Sequence, residues 1–536
     1  MLMFYITAIT VKMLPLDNKA EFQIVIDMPA GTALPETASF TTEIAEIVRQ
    51  DPDVLSVQTY VGTAIPFDFN GLVRHYYLRT FPWQGQIQVI LTHKSQRKRD
   101  SHTIATEIRE RLAPLVEASG IKAYDGAGVT VVEMPPGPPV LQTLVAEVYG
   151  PDAATRQQVA RDLQAIFAQS ELVGEEQTMM RAAMSQWRFE VDAAKAALNG
   201  VSIDSINQHL AMAMGEFKVG DLKQRGLQEP TFIVMQVPLH RRANLDNLRD
   251  LPVMNMMQSA TVPLGELGRF VEETRDDIIF RKDLRPVEFV LGDATGRLAA
   301  PIYAQLDVDR MLRDYVAPDG VRIAGTYTGP PETDMQSGFA WGGEWTVTYE
   351  TFRDMGIAYL IALIAIYMLV VWQFGNFIIP AIIMVPIPLT LLGIVPGHML
   401  FGADFTATSM IGFIALAGII VRNSILLVDF TLVLLRDGLS FYDAVITATK
   451  ARTRPIIITA LALVLGSAVI LTDPIFQGMA ISLLFGVFVS TVLTLVVVPL
   501  GCLSIGEETF RKAAKLPPTP TEDPELEVGP SQSANS

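Results

Sequence analysis

Residues 418–430, GIIVRNSILLVDF, set an arginine and an aspartate into an apolar run with helical character. On a helix of 3.6 residues per turn, Gly418, Arg422 and Asp429 fall within about 40° of one another, on one face. A charge at the middle of an apolar span costs about 2.5 to 3.5 kcal/mol on insertion scales. Such residues therefore face a bundle interior and mark ion or proton pathways. Arginine stays protonated in proteins, so Arg422 would act as a fixed counter-ion while carboxylates carry protons. The plainer alternative is a structural ion pair between Arg422 and Asp429. Seven residues put the two about 10 Å apart along the axis, which strains direct contact.

The elements that must hold these charges are membrane spans. The chain has 536 residues, half of them hydrophobic, and a mean hydropathy of +0.31. Five segments reach the roughly 20 apolar residues that a bilayer demands, near 353–373, 377–397, 407–434, 454–472 and 475–503. Arg436, Lys450, Arg452 and Arg454 lie between the third and fourth, and Arg511, Lys512 and Lys515 follow the last. The opposite loops hold Asp404 and Asp473 and neither Lys nor Arg. The positive-inside rule makes the basic loops cytoplasmic, and an odd number of spans then exports residues 15–350. Residues 1–14, MLMFYITAITVKML, are apolar, interrupted by Lys12, and lack a basic leader region. They are expected to be the tail end of a truncated span rather than a signal peptide.

The exported region reads as repeated β-α-β units. EFQIVID (21–27) alternates as a strand, and Thr32 is expected to cap a helix through Gln50 with Leu34, Ala38, Ile44 and Val48 facing inward. VLSVQTY (54–60) returns as a strand, and IQVIL (87–91) with a helix over 102–117 continues the pattern. A second unit starts at LVAEVYG (144–150) and a third at WRFEVD (187–192), followed by a helix opened at Ser202. The expected fold class is an α+β membrane protein: ferredoxin-like β-α-β subdomains followed by a five-helix transmembrane bundle. The tail from Leu516, rich in Pro, Glu and Ser, has the composition of a disordered segment.

Other chemistries find little support. The net charge of −16 offers no basic stripe for nucleic acid, and RKRD (97–100) reads as a solvated loop. Cys502 is the only cysteine, which leaves no disulfide or thiolate metal site within the chain. His93 and His102 have no ligand spacing. Met179, Met180 and Met184, and Met254, Met256 and Met257, could be soft metal ligands, but read better as core filler. In VGTAIPFDFNGL (61–72), glycines and Pro66 make a loop, in which Phe67 and Phe69 are either aromatic surface for lipophilic compounds or a buried pair.

GIIVRNSILLVDF resembles the central transmembrane motif of resistance-nodulation-division (RND) efflux pumps, hydrophobe/amphiphile branch. LPLDNKAEFQIVIDMPAGT (14–32), MPPGPPVLQTLVAEVYGPD (134–152), FRKDLRPVEF (280–289), FTATSMIGFIALAGIIVRNS (405–424) and RTRPIIITALALVLG (452–466) are similar to that family's second half. The resemblance implies a proton-relay network at Arg422, Asn423, Asp429 and Thr459, with arginine where the best-known members have lysine. It implies a substrate-gating loop around Phe67 and Phe69. It also implies a transporter, not an enzyme, driven by the proton-motive force without a cofactor, in the bacterial inner membrane. The domains would be a span remnant (1–14), porter subdomains (15–186), a docking subdomain (187–280), a porter return (281–350), five spans (351–505) and a cytoplasmic tail (506–536). Its partners would be the N-terminal half of the permease, which carries the proton-binding aspartates, further copies in a homotrimer, a periplasmic adaptor, an outer-membrane channel and lipophilic substrates. The alternatives are half of a heavy-metal exporter of the same superfamily and an inactive fragment. Reporter fusions test the topology: a periplasmic reporter is expected to be active after Gln50 and inactive after Lys515, and silence at Gln50 would overturn it.

Overall fold

The computed structural model describes residues 7–15, 17–121, 127–134, 137, 140–181, 184–226, 229–255, 260–275, 278–296 and 298–517. The tail from 518 onward, Met256 and Met257 lie outside the described residues. The chain divides into two compact units, Ala182–Ile278 and all the rest.

In the larger unit, residues 20–132 form a first lobe. Strands β1 (Glu21–Asp27), β2 (Val54–Val61), β3 (Gln84–Leu91) and β4 (Gly128–Val132) make one sheet in the order β2-β3-β1-β4, with every pairing antiparallel. Helix α1 (Leu34–Arg49) connects β1 to β2, and α2 (Ser101–Ala118) connects β3 to β4. The apolar alternation of β1 and β3 meets the helices in a core where Ile24, Ile26, Ile44, Ile87, Val89, Ile104 and Ile108 are wholly buried. Each such side chain contributes about 1.5–3 kcal/mol. Helix α1 starts one residue later than Thr32 capping implied: its N-cap is Ala33, and the Thr32 hydroxyl turns back to Pro29 O at 2.7 Å. Its buried face is Thr37, Phe40, Thr41, Ile44, Ala45 and Val48, whereas Leu34 is exposed.

A second lobe repeats the arrangement. Strands β5 (Leu144–Tyr149), β6 (Val173–Thr178), β7 (Glu288–Ala294) and β8 (Gly338–Gly343) lie in the order β8-β5-β7-β6, with the short strand Gly325–Thr326 beyond β8. Helices α3 (Ala153–Phe167) and α4 (Pro301–Met311) cover the sheet. Val159, Leu163, Phe167, Val290, Val308, Phe339 and Trp341 fill this core. The smaller unit has its own core of Val201, Ile206, Val253, Leu264 and Leu267. Its antiparallel pair joins Ser185–Val191 to Gly268–Thr274, and Ser202 caps the helix Ile203–Met214.

Among the described residues, five helices are long and apolar enough to cross a membrane. They are α5 (Glu344–Phe374), α6 (Ile378–Phe401, interrupted near its prolines), α7 (Ala407–Arg436), α8 (Phe441–Ala468) and α9 (Gln477–Ile505); the short α10 (Glu507–Ala514) follows. Glycines set the closest contact. A Cβ at Gly393 of α6 would meet Phe485 O of α9 at 2.6 Å, so a small residue lets the two backbones close. Residues 7–15 pack at the outer end of the bundle: Thr10 and Lys12 both bond Asp404, and Phe405 N–H donates to Thr10 O at 2.8 Å.

The basic run 97–100 is not simply solvated. Arg97 is buried and donates to Thr92 O and Lys19 O, while Arg99 binds Asp51, Asp53 and Glu107. Carboxylates brought from the turn after α1 and from α2 supply the partners that local sequence does not reveal. Asp51, with a side chain only 2% exposed, takes Arg99 at 2.6 Å and Arg111 at 2.7 Å. Burial pushes its carboxyl up, but the Arg99 hydrogen bond, the Asp53 N–H and both guanidinium charges outweigh it and hold the group below its ordinary value. A depressed carboxyl contributes stability above its unfolded value, near 4, and loses that contribution as pH falls through the folded value. Asp51→Asn is expected to cost the first lobe about 2 kcal/mol at neutral pH, speeding amide exchange in β1 and β3 roughly 30-fold. Unchanged exchange in the detergent-solubilised full chain would contradict this.

Candidate functional site: an open charged face on a membrane helix

Helix α7 begins at a reciprocal cap in which Thr406 Oγ accepts from Ser409 N–H and Ser409 Oγ accepts from Thr406 N–H. From there its burial follows a strict stripe. Ile411, Ala415, Gly418, Arg422, Leu426, Val433 and Arg436 are exposed and Asp429 is partly exposed. The steps of three and four residues place all of them along one face. The opposite face, including Leu416, Ile420, Leu427 and Val428, is buried against the other helices. A Cβ at Gly412 would lie 2.8 Å from Ser482 Cβ, whereas one at Gly418 meets nothing within 4 Å.

Arg422 and Asp429 therefore share the uncovered face. They do not close into an ion pair, and among the described residues neither has a hydrogen bond or charged partner. Asn423, one residue on and 100° around, is buried within the bundle. Thr459 is exposed on α8, and its hydroxyl donates to Ile456 O of its own helix at 2.9 Å. The four residues are thus divided: two line the open face, one faces inward, and one is bonded to local backbone.

A further cation stands nearby. The Arg452 guanidinium of α8 lies 5.0 Å from the centre of the Phe430 ring, next in sequence to Asp429. Its Nε is buried without a hydrogen-bond partner among the described residues. The sequence reading used Arg452 only as a marker of orientation. The signal that could have found it is its place in RTRP, two residues ahead of the Arg454–Pro455 pair that opens the apolar part of α8.

The loop between β2 and β3 presents a different surface. Asp68 caps the short helix Phe69–Val73 by accepting from Gly71 N–H at 2.6 Å, and also receives the Gln23 amide. Arg79 fixes the loop base through Asp27 and Ile26 O, both at 2.8 Å. On this anchored frame Phe67 is 70% and Phe69 40% exposed, and Leu72, Tyr77 and Leu78 are exposed as well. The two phenylalanines are aromatic surface and not a buried pair. Met180 belongs to the second lobe's core. Among the described residues no three His, Cys, Asp or Glu side chains gather as a metal site.

The profile of the AcrB/AcrD/AcrF family matches residues 1–503. The chain is 25% identical over 490 residues to the nickel and cobalt resistance protein CnrA of Cupriavidus metallidurans, covering 88% of this chain and 42% of that protein. It is 26% identical over 488 residues to the multidrug resistance protein MdtC of Serratia proteamaculans, covering 89% of this chain and 43% of that one. The crystal structure of a heavy metal efflux pump superposes with a TM-score of 0.72 at 20% identity, over 94% of this chain and 48% of the pump. The chain thus spans less than half the length of these relatives.

The two glycines separate the faces of α7 experimentally. Gly412→Leu is expected to lower the amount of inserted protein several-fold, while Gly418→Leu leaves it unchanged. Quantifying both in membrane fractions checks this, and equal loss for the two would show that the Gly418 face is not open.

Proposed function

Since this chain belongs to the AcrB/AcrD/AcrF family, we propose that it is one half of a proton-driven efflux permease for hydrophobic or amphiphilic compounds. Membership makes it a multi-pass protein of the bacterial inner membrane with a periplasmic domain, and its five apolar helices are spans. The single observation that carries the proposal is the α7 stripe, where Arg422 and Asp429 lie on an uncovered face without partners among the described residues. A charge so placed is tolerated only against anionic or polar groups. Those groups would be carboxylates on helices of the companion half, which takes the proton load that a permanently protonated arginine cannot.

In this mechanism Arg422 holds the partner carboxylates ionised, because a cation within a few Å favours the charged form. Protons arriving from the periplasm neutralise those carboxylates, weaken their hold on Arg422 and let the helices shift. Asp429 and Arg452 extend the charged line toward the cytoplasmic end, and Asn423 and Thr459 supply polar contacts beside it. The proton-motive force would be the energy source. Homotrimer formation, a periplasmic adaptor and an outer-membrane channel belong to the same proposal. The exposed aromatic loop at Phe67 and Phe69 supports a lipophilic cargo.

A second reading, half of a metal exporter, is favoured by the similarity to CnrA and to the heavy metal pump. The two are separated by challenge of cells lacking other pumps with amphiphilic dyes on one hand and nickel or cobalt on the other.

With the companion half supplied, Arg422→Ala is expected to reduce efflux of a fluorescent amphiphile at least tenfold while inserted protein stays at its normal level. Arg422→Lys, which keeps the charge, retains partial or full export. Undiminished export by the alanine variant at matched expression would overturn the proposed role.

A further inference from the structure

The sheets of the two lobes end on edge strands that meet side chain to backbone. On β6, Gln177 pairs with Leu291 and Gly174 with Asp293, so Glu175 and Glu176 stand opposite Gly292 alone. This is a bulge in an edge strand, a device that re-aims a side chain. Glu175 accordingly takes a φ of 52°, in the left-handed region that residues other than glycine seldom occupy. The bulge turns its carboxylate off its own sheet and onto β4 of the first lobe. There Oε1 accepts from Val131 N–H at 3.3 Å and from Arg109 Nε, while Arg109 Nη2 donates to Val131 O at 3.1 Å. Two side chains thus satisfy the backbone groups that a neighbouring strand would otherwise pair.

The joint is short of one partner. The Glu175 side chain is 10% exposed, and its Oε2 is buried without a hydrogen bond among the described residues. Asp293 of β7 adds a second negative charge acting on Glu175. Arg109 of α2 answers Glu175, Asp293 and Glu133 together. Glu133 is itself held by His102 Nδ1 at 2.8 Å, with Asp100 acting on that histidine. One guanidinium therefore serves three carboxylates, one of which has a histidine as well. A buried oxygen without a donor and an excess of carboxylates are the conditions in which a carboxyl holds a proton.

We propose that the seam between the two lobes is a proton-linked joint: closing it takes up one proton at Glu175, and opening it releases that proton. Burial pushes the Glu175 carboxyl up to about 7 in the closed seam, with Asp293 adding to the rise and Arg109 opposing it. In an open seam the carboxyl meets water and returns to its ordinary value, about 4.5. The raised value belongs to the closed form, so protons favour closure. Between about 7 and 4.5, the ratio of closed to open seam rises about tenfold for each unit by which pH falls, and outside that window it is flat. This joint lies in the exported region and is independent of the charges on α7.

Spin labels on Ala118→Cys and Gln169→Cys, two exposed positions on opposite lobes, report the seam by pulsed electron-resonance distances in the full chain in nanodiscs. The remaining thiol, Cys502, is buried. The closed fraction is expected to gain about fortyfold relative to the open one from pH 7 to pH 5. Glu175→Gln, neutral like the protonated acid, is expected to stay closed at every pH. Asp293→Asn, which removes the neighbouring charge, is expected to keep the response with its midpoint at lower pH. His102→Ala is expected to keep the response. A pH-independent distribution in the unsubstituted seam, a persisting response in Glu175→Gln, or a response lost only with His102→Ala would each overturn the proposal.

Discussion

An apolar span has no solvent to stabilise a guanidinium, and this constraint organises the membrane half of the molecule. The remaining faces of α7 are filled by the chain's own helices, with Leu416, Ile420 and Leu427 in a continuous core. The face carrying Arg422 and Asp429 is left uncovered. A packing defect would expose apolar residues at random. Here the uncovered positions recur at steps of three and four over seven turns and carry Gly418 and Ala415, small residues suited to close helix contact. The proposed companion half would meet this face with complementary charge.

The exported lobes show the same economy of design in water. Each is stabilised by its own buried apolar core. Among the described residues, the Glu175–Arg109–Val131 contact and the Arg181 guanidinium over the Phe81 ring at 4.7 Å link them. Two stable bodies with a thin, partly charged seam can change their separation without losing their cores.

Much of this was legible in the sequence, and the reasons are local. Apolar runs of span length, the alternation of EFQIVID and the Ser202 cap are properties of a few neighbouring residues. The common face of Gly418, Arg422 and Asp429 follows from helix periodicity alone. The features that were not legible depend on partners distant in sequence. Arg99 reads as solvated until Asp51, 48 residues away, is brought beside it. Leu34 looks inward by type, yet α1 buries Thr37 and Thr41 on that side because β3 approaches there with Gly85. The bulge at Glu175 has no composition signal, since GEEQT reads as an ordinary polar strand. Arg452 belongs to the site only because α8 crosses α7 at Phe430.

The proposed function requires the α7 face to pack against helices supplied by a companion half of the permease. A photoreactive residue at Leu426, on the exposed stripe between Arg422 and Asp429, tests it most directly when both halves are expressed in the same membrane. Irradiation is predicted to give a covalent product of the two halves, and the same probe at the buried Leu416 is predicted to give none. Cross-linking of Leu426 to phospholipid alone, in cells that still export substrate, would contradict the account.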